Sequence, residues 1–328
     1  MLALLDVAGI LRVVRILRVV RASPVMEGHR MDHAVYDYSA LPQRGHEASS
    51  GTLHAFVVLF LEHWELCPPP GAVRDPRMVG EFGSFTPDYR SWSQREYGLR
   101  IGLYRVLDAL REAGVQPVVA ANAMAVQRLP ALVRALQQAG CGWLAHGVAA
   151  TRMMHSAMSL EEQSRHIEQS IDTLVQATGS HPLGWLSQDW GTTPDTHTLL
   201  AQAGIRFTLD WCNDDQPYWL RADPPVLAIP LSAEWDDVQC QWLRNIEPRA
   251  HAALATSAFA RLRAECREHR RDAVFGLSIH PWLSGMPSRI QALRALLSEL
   301  RSAPDVHWTT PHAIFTDTTT QHPHHGLS

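Results

Sequence analysis

The chain has 328 residues, of which 46% are hydrophobic and 19% are charged, so it can bury a full core and is not a disordered chain. Its net charge of −4 argues against a nucleic-acid-binding protein, which usually carries a basic face. All 29 basic residues are arginine, which excludes Schiff-base chemistry and a Walker-type phosphate site, because both need a lysine. Five scattered cysteines without a CxxC pair are typical of a reducing compartment, and we expect a cytoplasmic protein.

Residues 1–30 form an arginine-rich segment whose composition differs from that of the rest of the chain. Arginine recurs there at every third position among leucine, isoleucine and valine, at Arg12, Arg15, Arg18 and Arg21. These arginines interrupt the apolar run too early for a membrane-spanning helix. We interpret the segment as lying upstream of the true start, at Met26 or Met31; a basic helix on a membrane surface and a packed helix are the alternatives. Residues 31–54 then form an N-terminal extension.

From residue 55 onward, apolar runs of strand length alternate with segments of helical periodicity. The predicted strands are 55–61, 117–121, 142–145, 183–187, 205–210, 226–231, 273–279 and 306–309. The predicted helices are 97–113, 129–139, 160–179, 194–204, 257–271 and 287–301. Ser159 and Glu162 form a capping box ahead of the third helix, and four helices end at a glycine.

The repeated strand–helix unit predicts an α/β fold with a parallel sheet. Seven or eight such units between residues 55 and 316 predict a single domain that forms a closed or deformed (β/α) barrel. A doubly wound open sheet is the alternative, although no glycine-rich nucleotide loop follows the first strand. The histidine-rich tail, 317–328, is predicted to be disordered.

Polar and aromatic side chains follow the predicted strands, and in a βα barrel the chemistry lies at the carboxyl ends of the strands. In chain order these side chains are Glu62, His63, Trp64, Glu65, Asn122, His146, Trp185, Gln188, Asp210, Trp211, Asn213, Asp214, Asp215, Ser232, Glu234 and His280. One histidine at a strand end is more often a hydrogen-bonded rim residue, but several acid–base residues at one mouth indicate an active site. Packing at the mouth is the alternative for the tryptophans, and a solvated turn is the alternative for Asp214 and Asp215.

Several stretches, in this order, resemble the polysaccharide deacetylase superfamily, also called carbohydrate esterase family four, over residues 31–316. The most specific stretches are 96–102, 210–218 with its NDDQPY run, and 280–290, which begins with histidine and proline. The chain looks closest to the branch that contains metal-independent allantoinases and uncharacterised deacetylase-like proteins. The resemblance implies a deformed (β/α) barrel that hydrolyses the carbon–nitrogen bond of an N-acetylated sugar, a cyclic ureide or an imide.

The resemblance also assigns positions in the family's site. In the metal-dependent deacetylases the first strand ends in two aspartates, a base and a metal ligand, and Glu62 and His63 stand there in this chain. Two histidines four residues apart supply further metal ligands; His146 matches the first, but position 150 is alanine. The arginine that steadies the base is missing from the third motif. His280 corresponds to the general acid.

Amide hydrolysis needs an activated water, an oxyanion stabiliser and a proton for the leaving nitrogen. We predict that Glu62 is the base, with burial and its neighbours raising its pKa toward neutrality, and that His280 is the acid. His63 and His146 are predicted to bind substrate and are the matching metal candidates. We expect no tightly bound cofactor, with zinc or another divalent metal as the alternative. Further predicted substrate contacts are Arg100, Trp185, Asp210, Trp211, Asn213, Asp214 and Asp215.

Three functions are consistent with this pattern. The first is a hydrolase acting on a cyclic amide, a ureide or an N-acyl group. The second is a metal-dependent polysaccharide or amino-sugar N-deacetylase, although the second metal histidine is missing. The third is a barrel that has lost catalysis and binds a small ligand. We expect a small-molecule amide or ureide as partner, neither nucleic acid nor firm membrane association, and, from the resemblance, a homo-oligomer.

Overall fold

A computed structural model describes residues 34–41, 49–73 and 87–321. These residues contain nine strands that form one sheet. The strands are β1 Leu53–Leu61, β2 Val118–Ala121, β3 Gly142–Ala145, β4 Gly184–Trp185, β5 Phe207–Thr208, β6 Tyr218–Leu220, β7 Val226–Ala228, β8 Ala273–Ile279 and β9 Val306–Trp308. Their spatial order is β6-β7-β5-β4-β3-β2-β1-β8, and β9 pairs with the first residues of β1. Every pair is parallel except that of β6 with β7.

Helices follow most of the strands and cover the outside of the sheet. They are α1 Tyr89–Tyr97, α2 Leu103–Glu112, α3 Ala123–Arg128, α4 Pro130–Gln138, α5 Leu160–Thr178, α6 Thr196–Gln202, α7 Pro248–His269, α8 Pro281–Ser284, α9 Ile290–Arg301 and α10 Pro311–Gln321. Two π-helical turns lie at Gly98–Gly102 and Val238–Leu243, and a 3-10 turn lies at Gln188–Trp190. The predicted capping box at Ser159 and Glu162 is present at the start of α5.

The strands β1 and β8 lie side by side and position the candidate catalytic residues. Every residue of β8, and every residue of β1 except His54, is buried. Apolar residues on both faces are typical of a parallel strand covered on both sides. Leu59 of β1 pairs with Ile279 of β8, so the residues that follow each strand, Glu62 and His280, reach the same edge of the sheet.

A segment that we call the seam, residues 213–218 together with 272–274, joins the two edges of the sheet. The Val274 amide donates to the carbonyl oxygen of Asp215 at 2.8 Å, and Gln216 Nε2 donates to the Asp272 carbonyl oxygen at 2.7 Å. Val274 stands six residues before His280, or about 20 Å along an extended strand. The seam therefore closes the barrel far from the end of β8 that carries His280.

The prediction of a single-domain α/β fold with a deformed (β/α) barrel is confirmed. Consecutive strands are neighbours from β1 to β5, without the reversal of order that defines a doubly wound sheet. Among the described residues, no helix is long and apolar enough to cross a membrane.

The prediction missed five elements, the strand β6 and the helices α1, α3, α8 and α10, and misplaced the ends of others. The short strand β6 was missed, and α7 begins at Pro248, nine residues before its predicted start, because Glu247 caps it by accepting hydrogen bonds from two backbone amides. Helix α10 was also missed, so residues 317–321 of the predicted disordered tail are helical. The remainder of that tail, 322–328, and the arginine-rich segment with Met26 and Met31 lie outside the described residues.

Candidate active site

Glu62 follows β1 and is only 7% exposed. Gln188 Nε2 donates to Glu62 Oε1 at 2.9 Å, and His146 Nε2 lies 3.7 Å from the same oxygen. Burial raises the pKa of Glu62, but the interaction with His146 and the positive charge of His280 outweigh burial and lower it to about 2. The expectation of a pKa raised toward neutrality is therefore wrong, and Glu62 is a buried, ionised carboxylate.

Gln188 contacts the carboxylate of Glu62. The arginine that holds this base in place in the family is missing from this chain. Gln188 opens the 3-10 turn that follows β4 and is 4% exposed. A neutral amide donates one hydrogen bond to Glu62 and adds no charge. The positive charge that balances Glu62 therefore comes from the cationic ring of His280.

His146 follows β3 and is 1% exposed. Its Nδ1 donates to the carbonyl oxygen of Leu186 at 2.6 Å, since a carbonyl can only accept. In the neutral ring Nε2 is then an acceptor, and it faces Glu62 with no hydrogen-bond partner among the residues the structure describes. Two acceptors that face each other need a donor or a cation between them, which a water, a proton or a metal ion can supply.

His280 follows β8 and is held on three sides. Its ring stacks on Phe60 with the ring centroids 3.9 Å apart and the planes 15° apart. Its Nδ1 donates to Asp237 Oδ1 at 2.6 Å, and its backbone amide donates to Asp237 Oδ2 at 2.8 Å. Burial lowers the pKa of His280, but the carboxylates of Asp237, Asp236 and Glu62 together more than reverse this effect and raise it to about 9. The ring is therefore cationic at neutral pH.

Sequence reasoning missed Asp237 and its neighbour Asp236, each 1% exposed. They stand between β7 and the π-helical turn Val238–Leu243, five to six residues after the end of the predicted strand 226–231. Only Ser232 and Glu234 were noted after that strand. Two consecutive aspartates directly after Trp235 were the available signal, because buried carboxylates at a strand end usually serve a partner.

His63 contacts different charged residues from those around Glu62. Arg128 Nη1 donates to His63 Nδ1 at 3.2 Å, and the same guanidinium binds both carboxylate oxygens of Glu96 at 2.6 and 2.7 Å. Burial and then the Arg128 charge lower the pKa of His63. Arginine can only donate, so the proton of the neutral ring lies on Nε2.

Asp210 and Trp185 support the loop that carries Gln188. Asp210 accepts from the Ser187 amide at 2.6 Å and from its hydroxyl at 2.9 Å, and Trp185 Nε1 donates to the same hydroxyl at 2.8 Å. Burial raises the pKa of Asp210 to about 6 in spite of these bonds. Trp185 is fully buried, so its neighbours are protein atoms rather than a cleft.

The other predicted substrate contacts are described by their own local contacts. Arg100 is exposed on the π-helical turn that follows α1. Trp211 packs edge-on against a tyrosine, with ring centroids 6.2 Å apart. Asn213, Asp214 and Asp215 belong to the seam, where Asp214 Oδ1 accepts from two backbone amides of its own turn.

The donors at the family's metal position do not form a three-ligand zinc site. Catalytic zinc normally binds three protein ligands, and here only Glu62 and His146 face each other. Ala150 has no donor, and the Nδ1 of His63 already accepts from an arginine. Within the described residues one group of three potential ligands lies close together, Asp236, Asp237 and His280, and Nδ1 of His280 is used there in a hydrogen bond.

Comparison with known proteins shows which family the chain resembles. The polysaccharide deacetylase family model matches residues 99–208, a range that includes His146 and Gln188. A curated protein of Schizosaccharomyces pombe, whose name assigns it to the polysaccharide deacetylases, is 26% identical over 249 residues, which are 70% of this chain and 76% of the relative. The resemblance to the polysaccharide deacetylase superfamily is confirmed. The predicted enzyme class, a hydrolase acting on non-peptide carbon–nitrogen bonds, is supported by the same family match.

Solved structures show the same fold. The crystal structure of Puue allantoinase has a TM-score of 0.73 at 24% identity, and the match covers 85% of this chain and 93% of the allantoinase. A probable polysaccharide deacetylase from Pseudomonas aeruginosa PAO1 has a TM-score of 0.71 at 24% identity, over 83% of this chain and 92% of that protein. At this level of identity both matches support the deformed barrel fold and do not indicate a shared substrate.

Proposed function

We propose that this polysaccharide deacetylase-like barrel hydrolyses a cyclic amide, a ureide or an N-acyl group of a small molecule, with Glu62 and His280 as its acid–base pair. The observation that carries the proposal is the pairing of a buried carboxylate with a buried, cationic imidazole at one edge of the sheet. The two groups are close enough that the charge on each shifts the pKa of the other.

Glu62 and His146 are suited to hold the attacking water. Both present an acceptor, and Oε1 and Nε2 lie 3.7 Å apart, so one water can donate a hydrogen to each. The lone pairs of that water then remain free to attack a carbonyl carbon. A carboxylate with a pKa near 2 orients the water and is a weak proton acceptor, so we assign the proton to the Glu62–His146 pair as a unit.

His280 is suited to protonate the leaving nitrogen. Its pKa of about 9 keeps the ring cationic at neutral pH, and the bond from Nδ1 to Asp237 leaves the Nε2 proton for transfer. After the transfer the neutral ring keeps its proton on Nδ1 and still donates it to Asp237 in a hydrogen bond. The orientation of the ring is therefore the same before and after the proton leaves.

The test is turnover of a panel of N-acetylated amino sugars, hydantoins, cyclic imides and ureides, measured as released acid or ammonia. Glu62→Gln and His280→Ala should each lower kcat by about 10² or more, the usual size of a general acid–base loss, with folding unchanged. A folded protein that binds members of the panel and turns over none of them would favour the ligand-binding barrel instead.

A metal-dependent N-deacetylase is the second candidate, and one observation favours it. The buried Nε2 of His146 has no hydrogen-bond partner among the described residues, and it faces the Glu62 carboxylate. Together these two groups supply two of the three protein donors that zinc needs. Activity that depends on added Zn²⁺ and is restricted to N-acetylated sugars would establish this candidate.

The remaining expectations belong to the same proposal. Buried acid–base groups at one edge of the sheet are suited to a small-molecule amide or ureide. All five cysteines are free, which suits the cytoplasm. The homo-oligomer implied by the resemblance is tested by sedimentation of the purified chain.

A further inference from the structure

Two buried carboxylates lie beside the His280 ring, and only one of them forms a hydrogen bond to it. Asp237 accepts from the ring, from the His280 amide and from the hydroxyl of Ser284. Asp236 accepts at Oδ1 from the amide of Gln239 at 2.8 Å. Its Oδ2 lies 4.0 Å from His280 Nδ1 and makes no hydrogen bond to the ring.

We propose that Asp236 is a positioning residue that acts through His280: its carboxylate supplies a second negative charge behind the ring and keeps the general acid protonated to higher pH than Asp237 alone. The inference rests on the proposed function, because it takes His280 as the acid. It deepens that function by naming what sets the upper pH limit of the reaction.

The physical basis is a charge–charge interaction in a dry environment. Both carboxylates are 1% exposed, so water screens little of their field at the ring. Burial raises the pKa of Asp236 to about 6, and above that pH the second charge is present. The pKa of His280, about 9, lies well above this value, so Asp236 is ionised wherever His280 titrates.

The other charged and titratable groups around the pair leave this role to Asp236. Glu62, which follows β1, adds a further negative charge that acts on the ring. Behind Asp237, His251 of α7 and Arg289, which precedes α9, line a cavity of about 10 Å³, the room of a single water molecule. Asp237 is bonded to the ring, so Asp236 is the carboxylate beside Nδ1 that makes no hydrogen bond to it.

A purely structural role for Asp236 predicts a different result. Its Oδ1 accepts the Gln239 amide at the start of the π-helical turn, and an asparagine side chain can accept the same bond. Asp236→Asn therefore keeps the hydrogen bond and removes the charge. A structural role leaves the titration of His280 where it was, whereas the proposed role moves it.

The experiment is an NMR titration of the histidine-labelled full-length protein without substrate, with the His280 signal assigned by its loss in His280→Asn. In Asp236→Asn we expect the pKa of His280 to fall by about one unit or more, the usual effect of removing a charge at this distance. The high-pH limb of kcat/KM should move by the same amount. Asp272→Asn, which removes a carboxylate at the opposite end of β8, is the control and should leave the pKa unchanged.

A folded Asp236→Asn protein with the wild-type pKa at His280 would overturn the inference. If that variant does not fold, the wild-type titration decides: the His280 signal should show a second inflection near pH 6, where Asp236 ionises, and its absence would also overturn the inference. Because no substrate is present, a shifted pKa in a protein that hydrolyses nothing would retain the charge interaction and reject the proposed function.

Discussion

The phenyl ring of Phe60 lies flat against the imidazole of His280, with centroids 3.9 Å apart, and stands edge-on to His146 at 5.2 Å. One buried aromatic side chain thus contacts both histidines of the candidate site. Phe60 is the last-but-one residue of β1, two positions before Glu62. The strand therefore orients both the carboxylate and the imidazole rings.

Phe60→Leu should lower activity more than stability. Leucine fills most of the volume, so we expect a loss of at most about 1.5 kcal/mol in the free energy of unfolding. It does not provide a flat face for the imidazole, and a misplaced acid should lower kcat about tenfold or more. The comparison is Phe56→Leu, earlier on the same face of β1 and also buried. Equal losses of kcat in both variants would contradict the stacking role.

The stability of the protein should fall between pH 6.5 and 9 through His280. Its folded pKa, about 9, lies above the unfolded value of 6.5, so its contribution is complete below pH 6.5 and is lost as pH rises through 9. For a group this buried the contribution is up to about 3 kcal/mol. Urea unfolding of the wild type and of His280→Gln should converge as pH rises through this window. A constant difference between the two proteins would show that the charge of His280 adds no stability.

The sequence predicted the barrel well because each buried parallel strand is a continuous apolar run, as in β1 and β8. It predicted Glu62, His146 and His280 because these residues directly follow such runs. It missed Asp236, since the chain between β7 and the π-helical turn is irregular and carries no periodicity. The NDDQPY run lies in the seam, which spacing along the chain does not show but the pairing of Val274 with Asp215 does.

The prediction of a raised pKa for Glu62 was wrong for a related reason. Burial alone raises the pKa of a carboxyl, and burial was the part that the sequence indicated. The two histidines that reverse the effect follow β3 and β8, which are distant from β1 along the chain. Long-range neighbours of this kind follow from the sheet order and not from the local sequence.

Gly102→Ala should displace the loop that carries His280. A Cβ at Gly102 would overlap the carbonyl oxygen of Pro281, and Gly285 packs on the other side of the same contact. The π-helical turn or α8 must then move, which costs about 1–3 kcal/mol. We expect a lower melting temperature together with a lower kcat. Gly142→Ala is the control, because its Cβ would make an ordinary contact with Val118, and a matching effect there would contradict the proposed overlap.

The N-terminal extension should be needed from about residue 34 onward and not before. Val35 accepts the Arg221 amide, and Tyr36 forms a β-bridge to Leu220 of the edge strand β6. A chain that starts at Met31 retains both contacts and should keep the wild-type melting temperature. A chain that starts at Ser49 loses them and should melt at a lower temperature. If the Met31 chain also melts several degrees lower, residues 1–30 pack on the barrel.

The catalytic centre should work without a tightly bound metal. Zinc needs a third protein donor at about 2.0–2.2 Å, but Ala150 has none and the Nδ1 of His63 already accepts from Arg128. Two donors and water hold zinc weakly, so a chelator should remove any ion without lasting loss of activity. The measurement is elemental analysis after dialysis, with turnover recorded before and after prolonged EDTA treatment. His63→Ala serves as the comparison and should leave the metal content unchanged.

Two results together would contradict the metal-free site and establish the N-deacetylase alternative. One equivalent of Zn²⁺ per chain would survive dialysis, and activity would disappear when the ion is stripped and return when it is added back.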